Sequence, residues 1–519
     1  MKRLTALVLA LLMAASLFGC AAEDSPYVPT GDALAAEDAD LNAIPEDTNT
    51  TPQEFSLAYY SGRSLNPLTC TDYTNRTLFS LLYQSLFNVS SAYQPVPVLC
   101  SGYTVSANNK VYTFYITDAT FSDGSRLTLN DVLVSYQTAQ ASTYYGGRFT
   151  HITEIALSED GGIRFTLDTP MENLPLLLDI PIVKASQVEA DRPLGTGPYV
   201  LEGTLSGYQL RKNYAWWCID TVKDLAVTAD AIPLIEAVAP NQIRDQFEFY
   251  DVGLVCADPC ADNYAAFRCD YELWDCENGI MIYLGCNVAY SQEGIFEDTD
   301  LRALLTYAID RELLSEEYYE GFARPVTLPA SPTSPYYSTA LASKYNCDPI
   351  VFINAMSRIK KPKEPLRLLV NMDDTLRLRT ARAVATMLTD CGLDTVTVEV
   401  GTKQFQTEYV KGTYDLYLGA TKLSANMDLT SFFKPYQEMS RNGVSNANLY
   451  ELCLDALENE GNFYNLHKAV AEDGRIVPIL FCSYAVYAER GLLTDLQPSR
   501  DNVFYYTLGK TMGDILISE

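Results

Sequence analysis

Thirteen cysteines and two histidines are the residues of this 519-residue chain best suited to hold a metal or attack a substrate. Cys256, Cys260, Cys269, Cys276 and Cys286 crowd into one region. A structural zinc site uses paired C-x2-C spacing, which this region lacks, so no metal is expected. Exported proteins with many cysteines often carry disulfides. A local disulfide or two, with the pairing open, and free buried thiols both remain consistent with the spacing. His151 and His467 lie far apart, with no recognisable pattern of cysteine or carboxylate ligands beside them. There is no G-x-S-x-G for Ser-His-Asp hydrolysis. Gly195-Thr196-Gly197-Pro198-Tyr199 has no GK[ST] and no helix directly after it, so it reads as a tight turn entering a strand rather than a phosphate loop. No catalytic residue and no cofactor are expected, and the chain does not read as an enzyme.

The N-terminus carries a different chemistry. Lys2 and Arg3 precede an apolar run from Leu4 to Phe18, and Leu17-Phe18-Gly19-Cys20 follows with Ala21 behind it. This pattern predicts a secretory signal over residues 1–20, too short to span a bilayer. The Leu-x-Gly-Cys ending resembles the bacterial lipobox. That resemblance implies that Cys20 receives a diacylglyceryl group and becomes the mature N-terminus. Residues 21–54 hold nine acidic residues, no Lys or Arg and little apolar periodicity. They predict an extended acidic tether. No other segment is long and apolar enough for a transmembrane helix.

The elements that must position any site are readable along the body. Phe55–Tyr60 predicts a first strand, and Thr77–Phe87 has helical spacing. Val111–Ile116 predicts a strand, Asp123-Gly124 a turn, and Thr128 or Asn130 a cap for a helix through Val132–Ala139. Strands follow at 163–168, 281–284, 366–370, 395–400 and 414–418, with a late apolar strand at 477–486. Helices are predicted over Asp300–Leu314 and Arg377–Cys391, the second stopped by Gly392. Strand, helix, strand at this spacing implies a parallel α/β lobe. The length favours two or three domains. The formal charge of -29 excludes the basic footprint of a nucleic-acid binder.

Four stretches in this order resemble one family. Tyr112-Thr113-Phe114, Phe121-Ser122-Asp123-Gly124, Leu127-Thr128 and Asp131-Val132 with Ser135 form the first. Gly195–Tyr199 followed by Asn213-Tyr214-Ala215-Trp216 forms the second, and Arg302–Leu313 with Ala308-Ile309-Asp310-Arg311 the third. The fourth is the strand-helix-strand run from Leu366. Together they resemble the extracytoplasmic solute-binding proteins of ABC transporters, family 5, typified by oligopeptide, dipeptide and nickel binders.

The resemblance implies an α/β, two-lobed (type II) clamshell, like a periplasmic binding protein, with an additional α+β domain. Its expected boundaries are 55–75, 191–282 and 476–519 for lobe I, 76–190 for the extra domain and 283–475 for lobe II. It implies a lipoprotein on the outer face of a bacterial cytoplasmic membrane. This protein would capture a small organic solute or short peptide by hinge closure and deliver it to permease subunits. The alternative is a transport-inactive surface receptor on the same fold. A monomer is expected, and no nucleic-acid partner. Asp123 and Asp131 are expected to serve the scaffold. In peptide binders, the segment after the Tyr-Asp strand includes a Trp and an acidic residue that anchors the peptide ammonium. Here Tyr414-Asp415 leads into GATKLSANMDLTSFF, with no Trp and with Ala425 or Asn426 at the anchoring position. Asp428 remains as a carboxylate for a cation, or as the cap of a short helix. Asn426 and Asp428 are the expected polar ligand contacts, and Tyr60, Trp274, Tyr283 and Phe432 the aromatic walls, each equally suited to a core.

Overall fold

The architecture is that of a computed structural model describing residues 55–517 apart from 206, 223, 259–266, 360 and 495. Cys20, the tether and Cys260 lie outside the described residues.

The chain enters with β1 (Leu57–Tyr60). A small ribbon, β2 (Phe87–Val89) with β3 (Pro95–Pro97), leads to four antiparallel strands: β4 (Cys100–Val105), β5 (Val111–Ile116), β6 (Ile152–Leu157) and β7 (Ile163–Leu167). Their order is β4-β5-β7-β6. The helix Leu129–Gln140 packs on them, started by a capping box in which Thr128 accepts from the Asp131 amide and Asp131 accepts from the Thr128 amide at 2.9 Å. Asp131 also accepts from the Ala185 amide, and Asp123 accepts from the Ser125 amide and pairs with Lys184. Both acids thus hold the scaffold.

The main sheet has eleven strands. The first seven are β1, β8 (Tyr199–Thr204), β9 (Gly207–Lys212), β10 (Ala231–Ala237), β11 (Leu254–Ala257), β12 (Tyr271–Cys286) and β13 (Ala323–Pro325). The others are β14 (Leu366–Asn371), β15 (Thr395–Val400), β16 (Leu416–Lys422) and β17 (Ile476–Glu489). The order is β15-β14-β16-β12-β17-β11-β1-β10-β9-β8, with β13 beside β17. β1 is parallel to β10 and β11 at one end, and β14 is parallel to β15 and β16 at the other. Parallel strands are buried on both faces, and β14 shows it: Leu366, Leu368 and Val370 enter one core while Leu369 enters another.

Two long antiparallel strands, β12 and β17, join the two ends. Tyr271–Glu277 pairs with Ser483–Glu489, the register breaks between Glu277 and Met281, and the remainder of β12 pairs with Ile476–Phe481. β16 joins β12 only from Ile280, within the break, onward, and β11 joins β17 only before it. Gly279 sits in the break with φ +76°, and a Cβ there would lie 2.8 Å from Arg500 Nη2.

Two expected helices are cut short. Over Thr77–Phe87 the helices Tyr73–Thr77 and Phe79–Leu82 are followed by extended chain. The Leu82 carbonyl accepts from the Gly197 amide, and Ser85 and Leu86 carbonyls accept from Leu99 and Val98. Over Asp300–Leu314 the chain is helical at Thr299–Leu304, tightens to 3-10 geometry at Leu305–Ala308 and restarts at Arg311–Tyr319. The buried Arg311 guanidinium binds the Thr306 and Ile309 carbonyls, which a continuous helix would use itself, and Asp310 caps the new helix.

All eleven described cysteines are free thiols, and eight of them are buried. Burial pushes the Cys218, Cys256 and Cys286 thiols up to about 12. No helix among the described residues is long and apolar enough to cross a membrane.

Candidate ligand-binding crevice

Beside the β12–β17 break, side chains from five separate segments converge. Tyr484 projects from β17, Tyr73 opens the helix Tyr73–Thr77, Arg76 lies one turn later, Tyr144 follows the helix Leu129–Gln140, Lys422 ends β16, and Asp501 comes from the chain after β17. The Tyr73 and Tyr484 rings lie 3.6 Å apart between centroids, and the Tyr73 hydroxyl lies 2.7 Å from Cys256 Sγ. Lys422 forms an ion pair with Asp501 and donates to Tyr144 Oη at 3.1 Å. Tyr144 Oη in turn donates to Asp501 Oδ2 at 3.0 Å. The Arg76 guanidinium lies 3.5 Å from the Tyr144 ring centroid and donates to Tyr145 Oη.

The electrostatics follow from burial against charge. Burial raises the Asp501 carboxyl, but Lys422, Arg500 and Arg76 outweigh it and hold the group below its ordinary value. Burial pushes Tyr73 well up, with Cys256 adding to the effect. At the strand break Glu277 is raised by burial, against hydrogen bonds from Tyr93 and Ser331. Three cations therefore surround one carboxylate among tyrosine faces. This arrangement suits an uncharged or anionic group that can accept hydrogen bonds and stack.

Two cavities flank the break. One, of about 330 Å³, is lined by Tyr60, Asp72, Tyr73, Cys256 and Tyr484. The other, of about 420 Å³, is lined by Asn278, Asp374, Arg377 and Cys482. Asp258 lines both. They lie at the carboxyl ends of the parallel strands β1, β11 and β14, where ligands of open α/β sheets bind.

Of the residues expected to touch ligand, Tyr60 lines the first cavity, with Arg63 4.3 Å from its ring centroid. Trp274 is half-buried on β12 opposite Val486. The other four gather in a separate cluster. Tyr283 and Phe432 are buried with ring centroids 5.2 Å apart. Asn426 is fully buried, between Ser424 and Met171. Asp428 accepts from the Thr430 amide at 2.8 Å, just ahead of the short helix Thr430–Phe433 whose N-cap is Leu429, and faces His151 Nε2 at 3.3 Å. Lys422, Tyr144, Tyr484 and Asp501 escaped the sequence reading. Lys422 stands within the stretch that lacks the expected Trp, and that substitution was the available signal.

No group of three His, Cys, Asp or Glu able to hold a metal occurs among the described residues.

Residues 94–443 match the model of the bacterial extracellular solute-binding proteins, family 5. The chain belongs to this family. The glutathione-binding protein GsiB of Salmonella typhi is 23% identical over 53% of this chain and 55% of its own length. The chain thus matches about half the length of that curated relative. The structure of the ABC transporter substrate-binding protein CtaP from Listeria monocytogenes superposes with a TM-score of 0.68 at 15% identity, over 89% of this chain and 98% of that one. DppA from Helicobacter pylori, in complex with the peptide STSA, gives a TM-score of 0.60 at 16% identity, over 88% and 97%. The fold is the two-lobed type II binding-protein fold with an added α+β sheet. Family and fold are those of extracytoplasmic substrate-binding proteins and not of enzymes.

Proposed function

We propose that this protein is the membrane-anchored solute-binding component of an ABC import system, taking a peptide-like or other small organic solute. The observation that carries the reading is the pair of cavities flanking the β12–β17 break at the carboxyl ends of β1, β11 and β14, with the Lys422, Asp501 and Tyr144 cluster packed beside the same break. Closure is a change of twist at the Glu277–Met281 break, driven by contacts that the solute makes better in the closed state. The reading keeps the expected division: 55–75, 191–282 and 476–519 as one lobe, 283–475 as the other, and 76–190 as the extra domain. Residue 282 falls beside the break, which supports that boundary. Tyr60 is the expected contact that the crevice retains, while Tyr283, Phe432 and Asn426 pack the second lobe. Cys20 carries the lipid, the tether sets the reach, and the closed monomer docks on its permease at high effective concentration.

Relatives named for glutathione and bound to a peptide direct the first ligand screen. A thermal-shift series with glutathione, short peptides and metal chelates is expected to raise the melting temperature for one class by mass action. Small-angle scattering should then show a smaller radius of gyration. Lys422→Met should lose the ligand-induced shift while keeping the far-UV spectrum. A shift of equal size in that variant would exclude the crevice as the site. Mass spectrometry of the membrane-extracted protein should find diacylglyceryl on Cys20.

A further inference from the structure

Away from the crevice, one titratable cluster ties the four-stranded sheet to the β14–β16 end of the molecule. His151 stands directly before β6 and is 3% exposed. Its Nδ1 lies 3.1 Å from Asp168 Oδ1, in the chain after β7, and its Nε2 lies 3.3 Å from Asp428 Oδ2 and 3.2 Å from Thr430 Oγ1. Each ring nitrogen therefore faces a carboxylate from a different part of the chain. An imidazolium has one N–H for each carboxylate, whereas a neutral ring has one N–H and must turn a lone pair toward the other acid. Thr430 can donate to Nε2, but it cannot replace the attraction lost at Asp428.

The surrounding groups do not supply a substitute charge. Lys110 approaches from β5 and donates to the Asp168 carbonyl at 2.8 Å, not to its carboxylate. From the helix Ala447–Glu458, Cys453 is buried and pushed well up, with Asp428 adding to the effect, so it stays a neutral thiol. Met171 and Asn426 beside it carry no charge. The same seam is closed by the Glu172 amide on the Leu457 carbonyl at 2.9 Å, by Asn173 on Tyr336 Oη at 3.0 Å and by the Glu460 amide on Glu172 Oε2 at 3.1 Å. Among the seam's side chains, histidine is the type whose ordinary titration falls near neutral pH.

We propose that His151 is a proton-controlled latch: as imidazolium it clamps the four-stranded sheet to the 428–430 segment, and on losing its proton it lets that seam open. Burial alone disfavours the cation, but Asp428 and Asp168 outweigh it and raise His151 above its ordinary value. A histidine raised on closure contributes fully below about pH 6.5 and stops contributing as pH rises through the raised value. Burial raises Asp428, but His151 outweighs it and holds the carboxyl below its ordinary value, so this partner stays ionised where His151 titrates. The latch concerns the seam alone and holds whatever ligand the crevice takes.

The chain has two histidines, so the imidazole Cε1–H region of an NMR spectrum holds two resonances to follow, and His151→Gln assigns them. His151 is expected to titrate above 6.5. Hydrogen exchange of 163–173 and 447–460, corrected for intrinsic rates, should show seam opening rise about tenfold per pH unit across the shifted range. His151→Gln should remove that dependence. Titration at or below 6.5, or an equal exchange profile in His151→Gln, overturns the latch. Should His151→Gln fail to fold, Asp168→Asn serves instead: a lowered His151 midpoint supports the proposal, and an unchanged midpoint rejects it.

Discussion

Tyr283 and Gly419 are cross-strand partners on β12 and β16, and a Cβ added to the glycine would sit 2.5 Å from Tyr283 Cζ. Two residues along, the relation is inverted: Tyr417 is paired with Gly285, whose added Cβ would lie 2.1 Å from the tyrosine ring. Each large ring occupies the space above its neighbour's missing side chain, and the two tyrosines meet edge to face at 5.7 Å. Overpacking at such sites costs about 1–3 kcal/mol. Gly285→Ala and Gly419→Ala should each lower unfolding free energy by roughly this amount in urea titrations. Combining Gly285→Ala with Tyr417→Leu should recover part of the loss.

Asp415 is fully buried and accepts five hydrogen bonds: two from the Arg367 guanidinium, one from the Arg367 amide, and two from the Gln292 amide and side chain. Burial pushes its carboxyl up, but Arg367 and Gln292 outweigh burial and hold it below the ordinary value. A lowered carboxylate stabilises above its unfolded value near 3.9, and that contribution is lost as pH falls through the folded value. Asp415→Ala, which leaves the part-buried Arg367 and Gln292 amides without their acceptor while the part-exposed Arg367 guanidinium turns to water, should cost about 1–3 kcal/mol at pH 7. The deficit should shrink when the melts are repeated near pH 3.

His467 behaves in the opposite sense to His151. It is fully buried on the helix Phe463–Asp473 with its ring 5.6 Å from Phe463, and burial pushes it down to about 3. The unfolded chain binds a proton there below about pH 6.5, and the folded chain does not, so stability falls with decreasing pH by about 1.4 kcal/mol per unit. Replacing it with leucine should flatten the acid limb by one proton's slope between pH 6 and 4, measured by denaturant unfolding.

Much of the scaffold was legible because its determinants are local. The cap expected at Thr128 or Asn130, which the structure places at Thr128, the turn at Asp123-Gly124 and the strand Thr395–Val400 each depend on neighbours in sequence. The broken helix around Asp310 was not legible, because the break comes from Arg311 binding carbonyls as distant as Pro478. β12 was legible only over Met281–Leu284 and β17 over Val477–Val486. The outer half of β12, Tyr271–Glu277, mixes charged and apolar residues and pairs with β17 without a continuous hydrophobic run to mark it. The crevice was the least legible. Lys422 and Tyr144 are 278 residues apart, Tyr144 and Asp501 are 357 apart, and no motif links them. Asp428 was singled out as a carboxylate for a cation or as a helix cap, and what faces it is a histidine 277 positions earlier, at 3.3 Å.

β12 and β17 run as one two-ply ribbon through both ends of the sheet, and their pairing is interrupted around Asn278 and Gly279. A hinge proposed there shares its backbone bonds with the residues of the charged cluster: the Asp501 amide donates to the Glu277 carbonyl at 3.2 Å, the Leu423 amide to the Gly279 carbonyl at 2.9 Å, and Lys422 pairs with Ile280. On the proposed reading, a substitution at Lys422 or Asp501 that changes the cargo also changes the stiffness of the pivot.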